Sequence, residues 1–280
     1  MTVHRPGSVH PRRLSAVGTL LAALSLLFAL AAPATADEEP DADKPARGSA
    51  YMGMGVLAHD GQLGGPPADT RATQTEGVDV SSHQGNVAWS TLWSSGVRWA
   101  YTKASEGTYY TNPYFTQQYT GSYNVGMVRG AYHFATPDTT SGAAQANYFV
   151  DHGGGWSRDG KTLPGALDIE WNPYGATCYG KTQSGMVSWI RDFLNQYKAR
   201  TGRDAVIYTA TSWWTQCTGN YAGFASANPL WVARYASTVG TLPAGWSYYT
   251  MWQYTSSGPT VGDHNKFNGA LDRVVALANG

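Results

Sequence analysis

With 280 residues, a formal net charge of zero, 14% charged and 13% aromatic residues, the chain has room for one large domain or two small ones, and disorder throughout is excluded. The zero hides an asymmetry: residues 1–36 hold Arg5, Arg12 and Arg13 and no acid, leaving 16 basic against 19 acidic residues downstream. No Lys/Arg cluster interleaves with the 11 Trp to track a phosphate backbone, so a nucleic-acid partner is excluded, and aromatics without a basic stripe point toward neutral sugars.

Arg12 and Arg13, an apolar run from Leu20 to Ala32 and the small residues Ala34-Thr35-Ala36 make residues 1–36 a secretory signal with its cleavage site. The run is too short to span a bilayer. The mature protein is therefore expected to be secreted, extracellular and free of the membrane. Residues 37–76 carry eight of the 19 acids together with Pro and Gly, as in Asp37-Glu38-Glu39-Pro40-Asp41 and Gly64-Gly65-Pro66-Pro67, and read as a flexible linker or pro-segment. Within them Tyr51-Met52-Gly53-Met54-Gly55-Val56-Leu57 could dock on the domain, but a loosely ordered tether is the simpler expectation.

Residues 77–280 show a strand-then-helix rhythm. The pattern predicts strands at Gly77 to Val80, Val97 to Lys103, Val128 to Phe134, Leu163 to Glu170 and Ala205 to Tyr208. Helices are predicted near Trp89 to Ser94, after Asn112-Pro113, over Ser141 to Val150, and over Gln183 to Arg200 with Gly202 as C-cap. Such alternation implies parallel strands covered by helices, as a βα barrel or an open doubly wound sheet. The later strand-like runs Leu230 to Tyr235, Tyr248 to Tyr254 and Val261 to Phe267 are joined by Gly/Pro/Ser-rich connections that read as too short for a return helix, so the final strands are expected to run antiparallel. The length fits a barrel that has lost its late helices. In an exported chain Cys178 and Cys217 read as one disulfide, with a free pair or a catalytic thiol as the alternatives.

The acids fall at strand ends: Asp79 on the first strand, Glu106 after the second, Asp168 and Glu170 on the fourth, and Asp263 in the last run. Barrel active sites form at the C-terminal ends of strands, so these five could converge on one cleft. Acids that merely cap helices would explain any one of them and not the set. Asp168 and Glu170, two apart in a strand, share a face with Cα atoms ~6.6 Å apart. Their coupling raises one pKa while the partner stays charged, which equips a glycosidase with a proton donor at neutral pH. Tyr132, Tyr235 and Trp252 stand beside the acids as candidate walls for a sugar, although alternation along Trp252-Gln253-Tyr254 keeps that run from lining a cleft with every residue. His83 and His133 read as hydrogen-bonding groups, and no metal-ligand spacing, nucleophile elbow or phosphate loop is found.

Together Gly77-Val78-Asp79-Val80-Ser81-Ser82-His83-Gln84-Gly85, Lys103-Ala104-Ser105-Glu106-Gly107, Gly130-Ala131-Tyr132-His133-Phe134, Leu167-Asp168-Ile169-Glu170, Trp231-Val232-Ala233-Arg234-Tyr235, Trp252-Gln253-Tyr254 and Asp263-His264-Asn265 form an ordered set that resembles glycoside hydrolase family 25, the secreted and phage muramidases. The resemblance implies an α/β fold, an irregular TIM-like (β/α)5(β)3 barrel, that hydrolyses the β-1,4 bond from N-acetylmuramic acid to N-acetylglucosamine in peptidoglycan as a monomer without cofactor or metal. It makes Glu170 the general acid/base and Asp168 the partner that orients the substrate's acetamido group. Asp79 and Asp263 tune these acids and bind sugar, with Glu106 and Tyr132 in support. It also implies retention, with the acetamido group as nucleophile. His264 stands at a position often apolar in the family, and residues 37–76 have no counterpart in its catalytic domain. The competing readings are a non-catalytic barrel that binds peptidoglycan or chitin, and a chitinase-like hydrolase.

Overall fold

The computed structural model describes Met1, residues 44–65 and residues 73–280. The secretory signal, Met1 apart, lies outside the described residues, as do residues 37–43 and 66–72 of the expected tether. A single helical turn, α1 (Val56–His59), precedes the barrel and belongs to the same compact unit.

Five strand–helix units then follow: β1 (Thr75–Val80) with α2 (Trp89–Ser94), and β2 (Trp99–Glu106) with a two-residue β3 (Tyr110–Thr111) and α3 (Phe115–Asn124). Next come β4 (Val128–Phe134) with α4 (Gly142–Phe149), β5 (Ala166–Asp168) with α5 (Gln183–Thr201), and β6 (Val206–Ala210) with α6 (Thr211–Thr218). The chain ends with β7 (Leu230–Ala233), β8 (Met251–Thr255), β9 (Asp263–Phe267) and α7 (Leu271–Asn279). Eight strands close in the order β1-β9-β8-β7-β6-β5-β4-β2, with β2 returning to β1, while β3 folds back antiparallel on the end of β2. This is the expected α/β barrel of five strand–helix units and three bare strands.

One expectation needs correction. Of the final strands only β9 is antiparallel, to both β8 and β1; β7 runs parallel to β6, and β8 parallel to β7. Loop length decides this. The 17 residues 234–250 exceed the dozen or so that a parallel crossover needs, although they form no helix, whereas the seven residues 256–262 permit only a reversal.

The helix α5 shows how the sequence sets an element. The Thr182 hydroxyl accepts the Gly185 N–H at the start, Gly202 at φ 72° ends it, and Lys198 and Arg200 sit in the last turn where the helix dipole favours cations. Its buried face carries Met186, Trp189, Ile190, Phe193 and Tyr197, with Phe193 stacked on His133 of β4 and Phe149 of α4.

Inside the barrel, side chains from alternate strand positions build an aromatic floor. The Trp231 ring meets Trp99 at 5.9 Å, Tyr101 at 4.8 Å and Tyr208 at 5.3 Å between centroids, and Phe267 closes on Trp99 at 6.4 Å. Gly77 on β1 makes this possible, because a Cβ there would collide with the Trp99 indole. Polar groups occupy the strand ends above this floor.

Cys178 and Cys217 are joined as a disulfide that ties the loop after β5 to α6, with Cα atoms 5.4 Å apart. Replacing both cysteines by serine is expected to lower unfolding stability by about 4 kcal/mol, from closure of a loop of 39 residues. Urea unfolding of the two forms measures this.

Candidate active site

Barrel closure brings all five expected acids to one end, with Glu106 ending β2 in register with Phe134 and, through it, Asp168, and four of the five form one cluster. Asp79 lies near the end of β1, Asp168 ends β5, and Glu170 follows two residues later. Asp263 is the first residue of β9, and because β9 is antiparallel, its start lies at the same end as the ends of the parallel strands. Asp79 and Asp263 are direct register partners. All four are buried, at 3%, 0%, 1% and 6% exposure in chain order.

Two amides separate the acids. Gln253 of β8 donates from Nε2 to Asp79 Oδ2 at 3.0 Å and to Asp263 Oδ2 at 3.4 Å, while its Oε1 accepts Tyr208 OH at 2.6 Å and Tyr235 OH at 3.1 Å. Asn265 of β9 donates to Asp79 Oδ2 at 2.7 Å and accepts the Trp231 indole N–H at 2.8 Å, so the aromatic floor fixes which way its amide points. Apart from the neighbouring carboxyl of Glu170, neither oxygen of Asp168 has a hydrogen-bond partner among the described residues.

Burial pushes every one of these carboxyls up. Asp79 rises to about 7 against the hydrogen bonds of Asn265 and Gln253. Glu170 rises to about 8 against two backbone N–H groups that favour its anion. Asp168 and Asp263 are held well above the usual range by burial and then by a charged neighbour, Glu170 and Asp79 respectively. Carboxyls so close release their protons as a group, and at neutral pH the cluster retains protons that a donor needs.

Glu106 sits apart from this cluster. Its carboxylate takes the Lys103 Nζ at 2.6 Å with both side chains fully buried, and accepts Tyr109 OH at 2.7 Å and Tyr174 OH at 2.6 Å. Tyr132 of β4 is fully buried, its hydroxyl pushed well up by burial and by Asp79 and Asp168. Tyr235, just past β7, reaches the cluster through Gln253.

Trp252 does not reach it. It packs outside the barrel with Leu230, Val232 and Tyr254, and its indole donates to Arg234 O at 2.8 Å, so the expectation of a sugar wall there is corrected. Alternation along β8 turns Gln253 inward instead, and that alternation is the sequence signal that could have found Gln253. Lys103 and Tyr179 are further residues of the site that the sequence reading missed. Tyr179 beside the disulfide has a left-handed φ of 56°, a strained conformation for a bulky residue, and its buried hydroxyl feels the charges of Glu170 and Asp168. His133 is a neutral structural group, driven to about 4 by burial, between Ser105 Oγ at 2.9 Å and Gln145 Oε1 at 3.0 Å.

The expected tether enters the site. Gly53 N–H donates to Glu170 Oε1 at 2.6 Å and Gly55 N–H to Oε2 at 3.2 Å, and Met52 N–H points to Tyr132 OH at 3.4 Å. Over residues 46–63 a loosely ordered linker is the wrong description: Met52 and Val56 are fully buried in the main hydrophobic core.

Because folding raises Asp79 and Glu170, the folded chain holds protons that the unfolded chain has released, so stability falls as pH climbs from about 4 through the folded values. The melting temperature is expected to drop between pH 5 and pH 8. Asp79→Asn, whose side-chain oxygen can still accept from Asn265, should flatten that drop; calorimetric scans across the range check it.

Comparison with known proteins fits this geometry. The profile of Glycosyl hydrolases family 25 matches residues 78–263. Lysozyme M1 of Streptomyces globisporus is 48% identical over 273 residues, covering 94% of this chain and 92% of its own. An N,O-diacetylmuramidase of Chalaropsis sp. is 47% identical, over 73% of this chain and 99% of its own. The solved muramidase of Acremonium alcalophilum superposes with a TM-score of 0.73 at 57% identity, over 74% of this chain and 99% of its own. With strand-end carboxylates, a barrel of matching topology and a family profile spanning most of its length, the chain belongs to glycosyl hydrolase family 25.

Proposed function

We propose that this enzyme is a muramidase, hydrolysing the β-1,4 bond between N-acetylmuramic acid and N-acetylglucosamine in peptidoglycan, with Glu170 as general acid/base and Asp168 as the group that orients the acetamido side chain. The observation that carries the reading is the pair itself: a raised, buried Glu170 in contact with a fully buried Asp168 whose oxygens meet no amide or hydroxyl donor. A buried carboxyl without a partner is costly, and an amide N–H from substrate would satisfy it. The names of the relatives, lysozyme and N,O-diacetylmuramidase, support the same bond.

In this reading Asp168 accepts the acetamido N–H and sets its carbonyl oxygen beneath the anomeric carbon. That oxygen attacks as the glycosidic bond breaks, and Glu170 gives its proton to the departing O4. Glu170 then takes a proton from the water that opens the cyclic intermediate, so the anomeric configuration is retained without an enzyme-bound sugar. Asp79, Asp263 and Tyr235 act through the Gln253 network that positions and tunes the pair, and Tyr132 and Glu106 line the cleft. The secretory signal and the disulfide support an exported enzyme.

The test uses the barrel from Gln74 to Gly280, 74% of the chain, a share equal to that over which the solved muramidase is matched almost whole. Mass spectrometry of fragments released from purified peptidoglycan, after borohydride reduction, should find reduced muramic acid at the new ends. Reduced N-acetylglucosamine would make the enzyme a glucosaminidase, and no release by a folded barrel would leave a binding module. Glu170→Gln is expected to lower kcat about 10³-fold and Asp168→Asn about 10²-fold. An inverted anomer in NMR of the first product would remove the acetamido mechanism.

A further inference from the structure

Residues 46–63 cross the mouth of the barrel from one wall to the other. At the β2 side, Gly48 N–H donates to Glu106 Oε1 at 2.9 Å, and the Lys103 ammonium donates to the carbonyls of Gly48 and Ala50. Arg47 lies 5.0 Å over the Tyr174 ring and 3.3 Å from Asp138. In the centre, the amides of Gly53 and Gly55 take both oxygens of Glu170, the Gly53 carbonyl accepts Tyr235 OH at 3.4 Å, and the Met52 carbonyl accepts Gln253 Nε2 at 3.4 Å. At the end of α1 His59 stacks on Trp171 at 4.8 Å, and beyond it Leu63 N–H donates to Tyr235 O at 2.7 Å and Asp60 accepts Ser212 Oγ at 2.8 Å.

We propose that this segment is a built-in inhibitor, seated in the cleft where the glycan must lie, and that the enzyme is active only once the segment has left. The inference rests on the muramidase reading above. Three independent features carry it. The segment touches Glu106, Tyr132, Glu170, Tyr235 and Gln253, five residues of the site, largely through its own backbone, as a ligand would. It engages the oxygens of Glu170 that a leaving group must reach, so it blocks proton transfer as well as space. And Gly53, at φ 83°, lies so close to Gln253 and Tyr235 that a Cβ would collide with both, a fit that a passing tether does not need.

The relatives divide in the same place. The solved muramidase, matched over 99% of its own length, matches 74% of this chain, a share the size of the barrel from Gln74 onward. The match to Lysozyme M1 covers 94% of this chain and therefore runs into the region before the barrel.

The experiment compares peptidoglycan turnover by the full chain, by the full chain carrying Gly53→Val, and by the barrel from Gln74, with a synthetic peptide of residues 44–65 added to the barrel. Expected are a full-chain kcat/KM at least about tenfold below that of the barrel, since a tethered occupant acts at an effective concentration near millimolar. Gly53→Val should recover most of that loss. The peptide should raise the barrel's KM with kcat unchanged. A full chain as active as an active barrel overturns the inhibitor alone, as does a peptide that leaves KM unmoved while Gly53→Val changes nothing. A folded barrel that releases no fragments overturns the muramidase reading and the inhibitor with it.

Discussion

Everything at the mouth of this barrel answers to one constraint: four carboxyls held together in a space that water scarcely enters. Asp79 and Asp263 face each other across the β1–β9 ladder, an arrangement that is unfavourable if both are charged. The fold meets this by retaining protons and by placing amide N–H donors between the acids, from Gln253 and Asn265. Those amides are held in turn. The Trp231 indole takes the Asn265 oxygen and two tyrosine hydroxyls take that of Gln253, leaving only the NH2 ends to face the acids. The aromatic floor, which by itself is ordinary packing, thereby orients a polar layer. Lys103 supplies a buried cation nearby, paired with Glu106 at 2.6 Å while tyrosine hydroxyls satisfy the remaining oxygen.

Much of this was legible in the sequence. The strand–helix rhythm located Val128 to Phe134 and the helix from Gln183 with its C-cap Gly202, and the strand-end acids Asp79, Asp168, Glu170 and Asp263 do meet. What escaped has physical reasons. The direction of β7 and β8 depended on whether residues 234–250 could cross back without a helix, and composition does not encode the path of irregular chain. Trp252 attracts attention as a flat, large residue beside the motif, yet on a barrel strand the choice between inside and outside falls to the pleat, and Gln253 won the inner position. Lys103 reads as a surface residue until the ring of strands closes around it.

The segment before the barrel was the hardest to read, and for an instructive reason. Its glycines and its neighbouring prolines and acids have the composition of a tether, because a chain that lies along a polar cleft needs backbone exposure rather than a hydrophobic stripe. Its buried apolar side chains are few, Ala50, Met52 and Val56. The same segment acts on Glu170 in two opposing ways, excluding water, which raises its proton affinity, and donating two N–H groups, which lowers it. A sugar entering in its place would keep the first effect and lose the second, so departure of the segment and arrival of substrate together favour the protonated acid.

The pairing of β1 with β9 also governs how the molecule is made. Thr75 to Asp79 hydrogen-bond to residues near the opposite end of the chain, Asp263 to Phe267, and no other strand can fill that edge. Until those last residues are available, β1 presents an open edge of unpaired amides and carbonyls that invites pairing with other chains. A ring whose first and last staves adjoin folds late and slowly, with a high contact order. The ring therefore cannot close before the strand nearest the end of the chain has been made.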